Sequence, residues 1–120
     1  MDNNESRTET KILEAAFNIF ILFGYHGTTL QKIAKKAGVN KSAIHYYFRS
    51  KDRIYIKIVK KVLVDILSET IISNNKKFEQ HKLFLITELH TNRKLFIIAL
   101  KELFLHDWEK KLIDIKEWLS

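Results

Sequence analysis

The segment that most constrains this chain runs from Thr28 to Lys51, TTLQKIAKKAGVNKSAIHYYFRSK. It has the pattern of two short helices set across each other by a glycine turn. Leu30, Ile33, Ala34 and Ala37 recur at three- and four-residue intervals and form one apolar face, with Gln31, Lys32, Lys35 and Lys36 outside it. Thr28 or Thr29 can cap this first helix, and Thr28-x-x-Gln31 has the spacing of a capping box. Ala34 is small where two helices must approach closely. Gly38 falls where the chain must turn with positive φ, a conformation cheap only for glycine. Val39 plugs the turn, and Asn40 is placed to cap the next helix. On that helix Ile44 and Phe48 face inward, so Lys41, Ser42, His45, Tyr46 and Arg49 project the other way. Ser50 can cap the helix that follows. This is a helix-turn-helix over about residues 29–48, a shape that fits the major groove of DNA.

Charge is concentrated on the same region. Residues 1–60 hold eleven Lys/Arg against five Asp/Glu, whereas residues 61–120 hold ten against nine. Within residues 28–60 nine basic residues face a single acidic one, Asp52. A run of charge is commonly only a solvated face. Placed on a helix-turn-helix, it reads as an electrostatic footprint for phosphates.

Individual roles follow from type and position. Lys41, at the exposed start of the second helix, is expected to reach guanine O6/N7 or a phosphate. Ser42 and Ala43 meet base edges or a thymine methyl, Ala43 by apolar contact alone. His45 and Tyr46 point into the groove. Tyr47 is open between two roles, its ring packing in the core and its hydroxyl finding a phosphate. Thr29, Gln31, Lys32 and Lys51 are expected to anchor the sugar-phosphate backbone, which positions a protein without reading sequence. Lys51 stands in the first turn of its helix, where a cation opposes the helix dipole, and a bound phosphate would offset that.

The remainder reads as helix. There is no proline, and there are only three glycines. In the first helix Ile12, Ala16, Ile19, Phe20 and Phe23 form a core stripe ended by Gly24, widened by Phe17 and Ile21 toward a fourth helix. That fourth helix carries Tyr55, Ile58, Val59, Val62, Leu63 and Ile66 and is expected to run to about Ile72, with a break at Ser73-Asn74-Asn75. Helices over about 77–90 and 92–105 follow. The second of these, from Leu95 to Leu105, is apolar nearly all round and is expected to be covered on most sides. Trp108, Leu112, Ile115 and Leu119 form a last stripe.

Several function classes are excluded or weakened. Without cysteine there is no disulfide, thiolate metal site or thiol nucleophile. His26, His45, His81, His90 and His106 lack the spacing of a metal-binding pair, and no cofactor fingerprint is present, so the chain does not read as an enzyme. The polar N-terminus MDNNESRTET is unlike a signal peptide. The most apolar stretch, Ala15 to Phe23, is roughly half the ~20 residues a membrane span needs, so a soluble, cytoplasmic protein is expected.

The ordered set Ile12-Leu13, Ala15-Ala16, Phe20, Gly24-Tyr25, Thr29, Ile33-Ala34, Ala37-Gly38-Val39, Lys41, Tyr47-Phe48 and Ser50-Lys51-Asp52 resembles the N-terminal domain of the TetR family of bacterial repressors. The order of His45 and Tyr46 is the reverse of the family's frequent tyrosine-histidine. The resemblance implies an all-α fold. A DNA-binding domain would occupy residues 6–66, with helices near 8–23, 29–36 and 40–47 and a long linking helix from Lys51. Residues 67–120 would form a partial helical ligand-binding and dimerisation region. It further implies a palindromic double-stranded operator, a homodimer and a small-molecule effector; no cofactor is expected from the residues themselves. Relatives of this kind usually continue further, so the chain reads as truncated or as a shorter body that dimerises differently, through residues near 92–119. The competing reading is a helical protein-interaction module that has kept the head without specific DNA binding.

Overall fold

The computed structural model describes residues 3–67 and 75–120, with the side chains of residues 3–6 and 75 excepted. Every regular element among them is helical. The order is α1 (Asn3–Gly27), α2 (Leu30–Ala37), α3 (Lys41–Tyr47), α4 (Lys51–Leu67), α5 (Asn75–Thr91), α6 (Arg93–Phe104), a 3-10 turn (Leu105–Asp107) and α7 (Trp108–Leu119). The chain forms two compact units, Met1–Ile58 and Val59–Ser120. The division falls inside α4, ahead of the boundary after residue 66 expected from sequence. The expected course of α4 to Ile72 and the break at Ser73-Asn74 lie outside the described residues; Asn75 opens α5 rather than ending α4.

In the first unit α1 packs on α2, and α2 on α3. Ile12, Leu13, Ala15, Ala16, Ile19 and Phe20 bury one face of α1. Two members of the expected stripe depart from it: Ile21 is 43% and Phe23 49% exposed. Ile21 lies across the helix from the buried face. Phe23 immediately precedes Gly24, whose φ of 73° and ψ of 174° kink α1, and the Lys32 ammonium lies 4.1 Å from the centroid of its ring. The helical segment resumes briefly and ends at Gly27, beyond the stop expected at Gly24.

The short helices are fixed at their ends. Thr29 is the α2 cap, extended at φ −125° and ψ 157°, its side chain accepting the Lys32 N–H at 3.1 Å. Thr28 is instead buried, and its hydroxyl donates to the Gly24 carbonyl at 2.7 Å. At the other end Gly38 adopts φ 72° and ψ 32°. The Gly38 N–H donates to Lys35 O at 3.3 Å and the Val39 N–H to Ala34 O at 3.0 Å, the two bonds of a Schellman motif. A Cβ on Gly38 would meet nothing within 4 Å, so the glycine is required by backbone conformation alone. Asn40 Oδ1 accepts the Ala43 N–H at 3.1 Å to start α3, and Ser50 Oγ accepts the Arg53 N–H at 3.2 Å to start α4. Ile33, Ile44 and Ile54 are fully buried, each contributing about 1.5–3 kcal/mol by burial. Tyr55 meets Phe20 and Tyr25 edge-on, with ring centroids 5.4 and 5.3 Å apart.

In the second unit α6 packs against α5 and α7. The core is built from Val59, Val62, Leu63 and Ile66 of α4, Phe84, Leu85 and Leu89 of α5, Phe96, Ala99 and Leu100 of α6, and Ile115 of α7. Coverage of α6 is uneven: Leu95, Ile97, Ile98, Leu103 and Phe104 are half-buried. Leu105, expected at the end of that helix, lies outside it at φ 52° and is 66% exposed. Glu88 is buried and accepts a 2.7 Å hydrogen bond from the Asn92 side chain, while the Asn92 N–H reaches the Glu88 carbonyl at 2.9 Å. A Lys60–Glu102 ion pair of 3.0 Å ties α4 to α6.

Candidate nucleic-acid interface

The helix-turn-helix presents α3 as a seven-residue rod anchored by buried Ile44 and by Phe48 just beyond its end. Its outward face carries Lys41, Ser42, His45 and Tyr46, all exposed, Tyr46 to 73%. Ala43 and Tyr47 are half-buried. The Tyr46 and Tyr47 rings meet edge-on at 5.0 Å, and Tyr47 also contacts Phe48. Thr29 and Gln31 are exposed at the start of α2, and Lys35, Lys36 and Arg49 are exposed as well. The outward side chains of α3 combine donors, acceptors, a cation and aromatic faces on a helix of groove-filling diameter.

The Ser42 hydroxyl is 2.6 Å from Asn40 Oδ1 and donates to it, and the same oxygen accepts the Ala43 N–H. The cap therefore orients Ser42 and leaves its lone pairs, rather than its proton, for an outside partner. The sequence marked Asn40 as a cap and Ser42 as a contact, but their coupling is a geometric fact that spacing alone does not carry.

Lys32 and Lys51, both expected at phosphates, have partners inside the unit. The Lys32 ammonium donates to the Gly27 carbonyl at 2.8 Å. The Lys51 ammonium donates to the Tyr25 carbonyl at 2.8 Å and the Thr28 carbonyl at 3.0 Å, and stands 4.1 Å from the centroid of the Tyr25 ring. Desolvation by burial lowers the Lys51 pKa from the ordinary lysine value. The sequence signal was real, a cation at the unfavourable end of a helix. Backbone carbonyls, which are also anionic poles, answer it.

The second unit contains an apolar cavity of about 250 Å³ lined by Leu63, Ile66, Leu85, Ile115 and Trp118, with Lys111 and Asp114 also on its wall. Among the described residues no group of three or more His, Asp or Glu side chains could hold a metal ion, and no helix is long and apolar enough to cross a membrane.

Comparison with known proteins places this geometry. The chain is 45% identical over 58 residues to the HTH-type transcriptional regulator RutR of Escherichia coli, covering 48% of this chain and 27% of RutR. It is 40% identical over 67 residues to IcaR of Staphylococcus aureus, the HTH-type negative transcriptional regulator of the biofilm operon icaADBC, covering 56% of this chain and 36% of IcaR. The chain thus spans between a quarter and two-fifths of the length of these relatives. Among solved structures, a HlyIIR mutant with one segment replaced by a linker carrying two thrombin sites superposes with a TM-score of 0.63 at 26% identity, over 92% of this chain and 69% of that one. Residues 12–58, the same stretch that holds the capped α2–α3 pair, match the profile of the bacterial regulatory proteins of the tetR family.

Proposed function

We propose that the chain acts as a sequence-specific DNA-binding transcriptional regulator, a repressor released by a small molecule. The observation that carries this reading is the outward face of α3, where Lys41, Ser42, His45 and Tyr46 stand exposed on a helix capped at its start and anchored by Ile44. In this reading Tyr46 and His45 meet base edges, Ser42 accepts a hydrogen bond from an exocyclic base amine, Ala43 touches a thymine methyl, and Lys41 bonds a guanine edge or a phosphate. Thr29, Gln31 and the Tyr47 hydroxyl hold the backbone and set the register.

A homodimer would place two copies of α3 in successive major grooves of a roughly palindromic site, about 34 Å apart. The exposed apolar side chains Leu105 and Ile113 support an interface near residues 92–119. The cavity beside Trp118 is smaller than an ordinary ligand pocket but has room for a small apolar effector. Such a ligand acts only through different affinities for two arrangements of the protein. The IcaR likeness, to a negative regulator, supports repression. A cytoplasmic location accords with this role.

Selection from a random duplex pool at two salt concentrations tests the reading. Enrichment of one inverted repeat, weakened by salt, is expected. Failure to retain any duplex would sink it and favour a protein-interaction module. Sedimentation equilibrium at micromolar concentration is expected to give a dimeric mass, and a monomer would remove the dimer.

A further inference from the structure

We propose that Lys51 is a positioning residue whose ammonium clasps the α1–α2 turn to the first turn of α4 and thereby fixes the pose of α2 and α3 on DNA. This inference rests on the DNA-binding reading. It also reassigns a cation that sequence alone gave to a phosphate.

The turn needs such a clasp. Gly24 leaves the helical path at φ 73° and ψ 174°, and beyond it the Thr28 N–H reaches back three residues, to Tyr25 O at 3.3 Å, rather than the helical four. Each of the four turn carbonyls with a side-chain partner is served from a fixed place. Thr28 Oγ1 donates to Gly24 O at 2.7 Å and Lys32 Nζ to Gly27 O at 2.8 Å. Lys51 Nζ serves Tyr25 O at 2.8 Å and Thr28 O at 3.0 Å. Those two carbonyls lie 26 and 23 residues earlier in the chain than Lys51. Lys51 is thus the long-range member of the set, whereas Lys32 and Thr28 act locally.

The lysine ammonium suits this geometry. Its three N–H groups diverge from one compact centre, so two reach different carbonyls while the charge rests over the Tyr25 ring at 4.1 Å. Tyr25 in turn stacks on Phe20 at 6.0 Å and meets Tyr55 edge-on, which gives the clasp a rigid floor. The planar fork of arginine directs its donors differently, in one plane and from a longer side chain. Thr28 is followed at once by Thr29, the α2 cap, so holding Thr28 O holds the origin of α2 and, through α2, the packing of α3. The Lys51 side chain is half-buried, and desolvation lowers its pKa from the ordinary lysine value.

The test combines a measurement on the free protein with binding across salt. In ¹⁵N spectra of the wild-type protein the clasped ammonium should give slowly exchanging protons whether or not DNA is bound. Fast exchange like that of surface lysines would overturn the clasp, and this measurement stands even if the chain binds no DNA. For the duplex selected by the wild type, Lys51→Met and Lys51→Arg should each weaken binding by about tenfold or more. In both, helical circular dichroism should persist and the slope of log affinity against log salt should stay unchanged. A slope reduced by about 0.9 in Lys51→Met would make Lys51 a phosphate ligand and overturn the proposal. Unaltered affinity in both variants, full rescue by arginine, or loss of helical signal in Lys51→Arg would overturn it equally. Failure of the wild type to bind any duplex, with slow ammonium exchange intact, would sink the functional reading while leaving the clasp in place.

Discussion

The unit Met1–Ile58 and the unit Val59–Ser120 both bury continuous apolar stripes, but they reverse the chain by different means. In the first, every reversal is closed by a residue whose type is demanded at that position: Gly24 with the Thr28 hydroxyl, Gly38 with the Val39 N–H, Asn40, and Ser50. In the second, α5 passes to α6 through the Glu88–Asn92 pair, and α6 passes to α7 through Leu105, a non-glycine residue at φ 52°. The first unit is specified by local backbone chemistry, position by position. The second is specified mainly by apolar periodicity, which many sequences satisfy. The family match falls on residues 12–58, within the first unit.

Substitutions can break this contrast or sharpen it. The largest effect is expected in the two cores. Ile44→Ala should cost about 2–5 kcal/mol and Phe96→Ala about 3–5 kcal/mol in thermal or denaturant unfolding. A loss well under ~1 kcal/mol at Ile44 would contradict its role as the anchor of α3. Gly24→Ala, forced into a region of backbone space reserved almost wholly for glycine, should cost about 1–3 kcal/mol. Since a Cβ there meets nothing within 4 Å, any loss reports the backbone alone.

Asn40→Ala should cost about 0.5–2 kcal/mol as a lost cap and free the Ser42 proton. Asn40→Asp, which keeps an acceptor at the cap, should restore most of the stability. In the opposite direction, Leu105→Gly should stabilise the second unit by up to about 1 kcal/mol by relieving a positive φ at an exposed site. A loss there would mean that the Leu105 side chain packs to some purpose.

The smallest effect concerns pH. Desolvation sets the folded Lys51 pKa below its unfolded value. Between those two values the unfolded chain holds more protons, so this group's contribution to folding rises with pH. An NMR titration should show Lys51 losing its proton below the ordinary lysine value.

Much of the first unit is legible in sequence because its constraints are local. Gly38, Asn40 and Ser50 announce their turns and caps, and the spacing of Ile33, Ala34 and Ile44 announces the faces. Tertiary choices are not local. Either Thr28 or Thr29 could have capped α2, and only the kink at Gly24 decides that Thr28 turns inward. The partners of Lys32 and Lys51 likewise depend on where turn carbonyls come to lie. In the second unit, α6 reads as apolar on all sides, and periodicity cannot say which side is covered or that Leu105 leaves the helix. Phe23 shows the same limit, since correct spacing on α1 did not secure burial next to a kink.

If the exposed face of α3 reads base edges, repeating the duplex selection with Tyr46→Ala beside Lys35→Ala, which removes an exposed cation outside that face, separates recognition from general charge. Lys35→Ala should recover the wild-type repeat, whereas Tyr46→Ala should change the preferred base at one position in each half-site. Recovery of the identical repeat by Tyr46→Ala, at wild-type stringency, would contradict base-edge reading by α3.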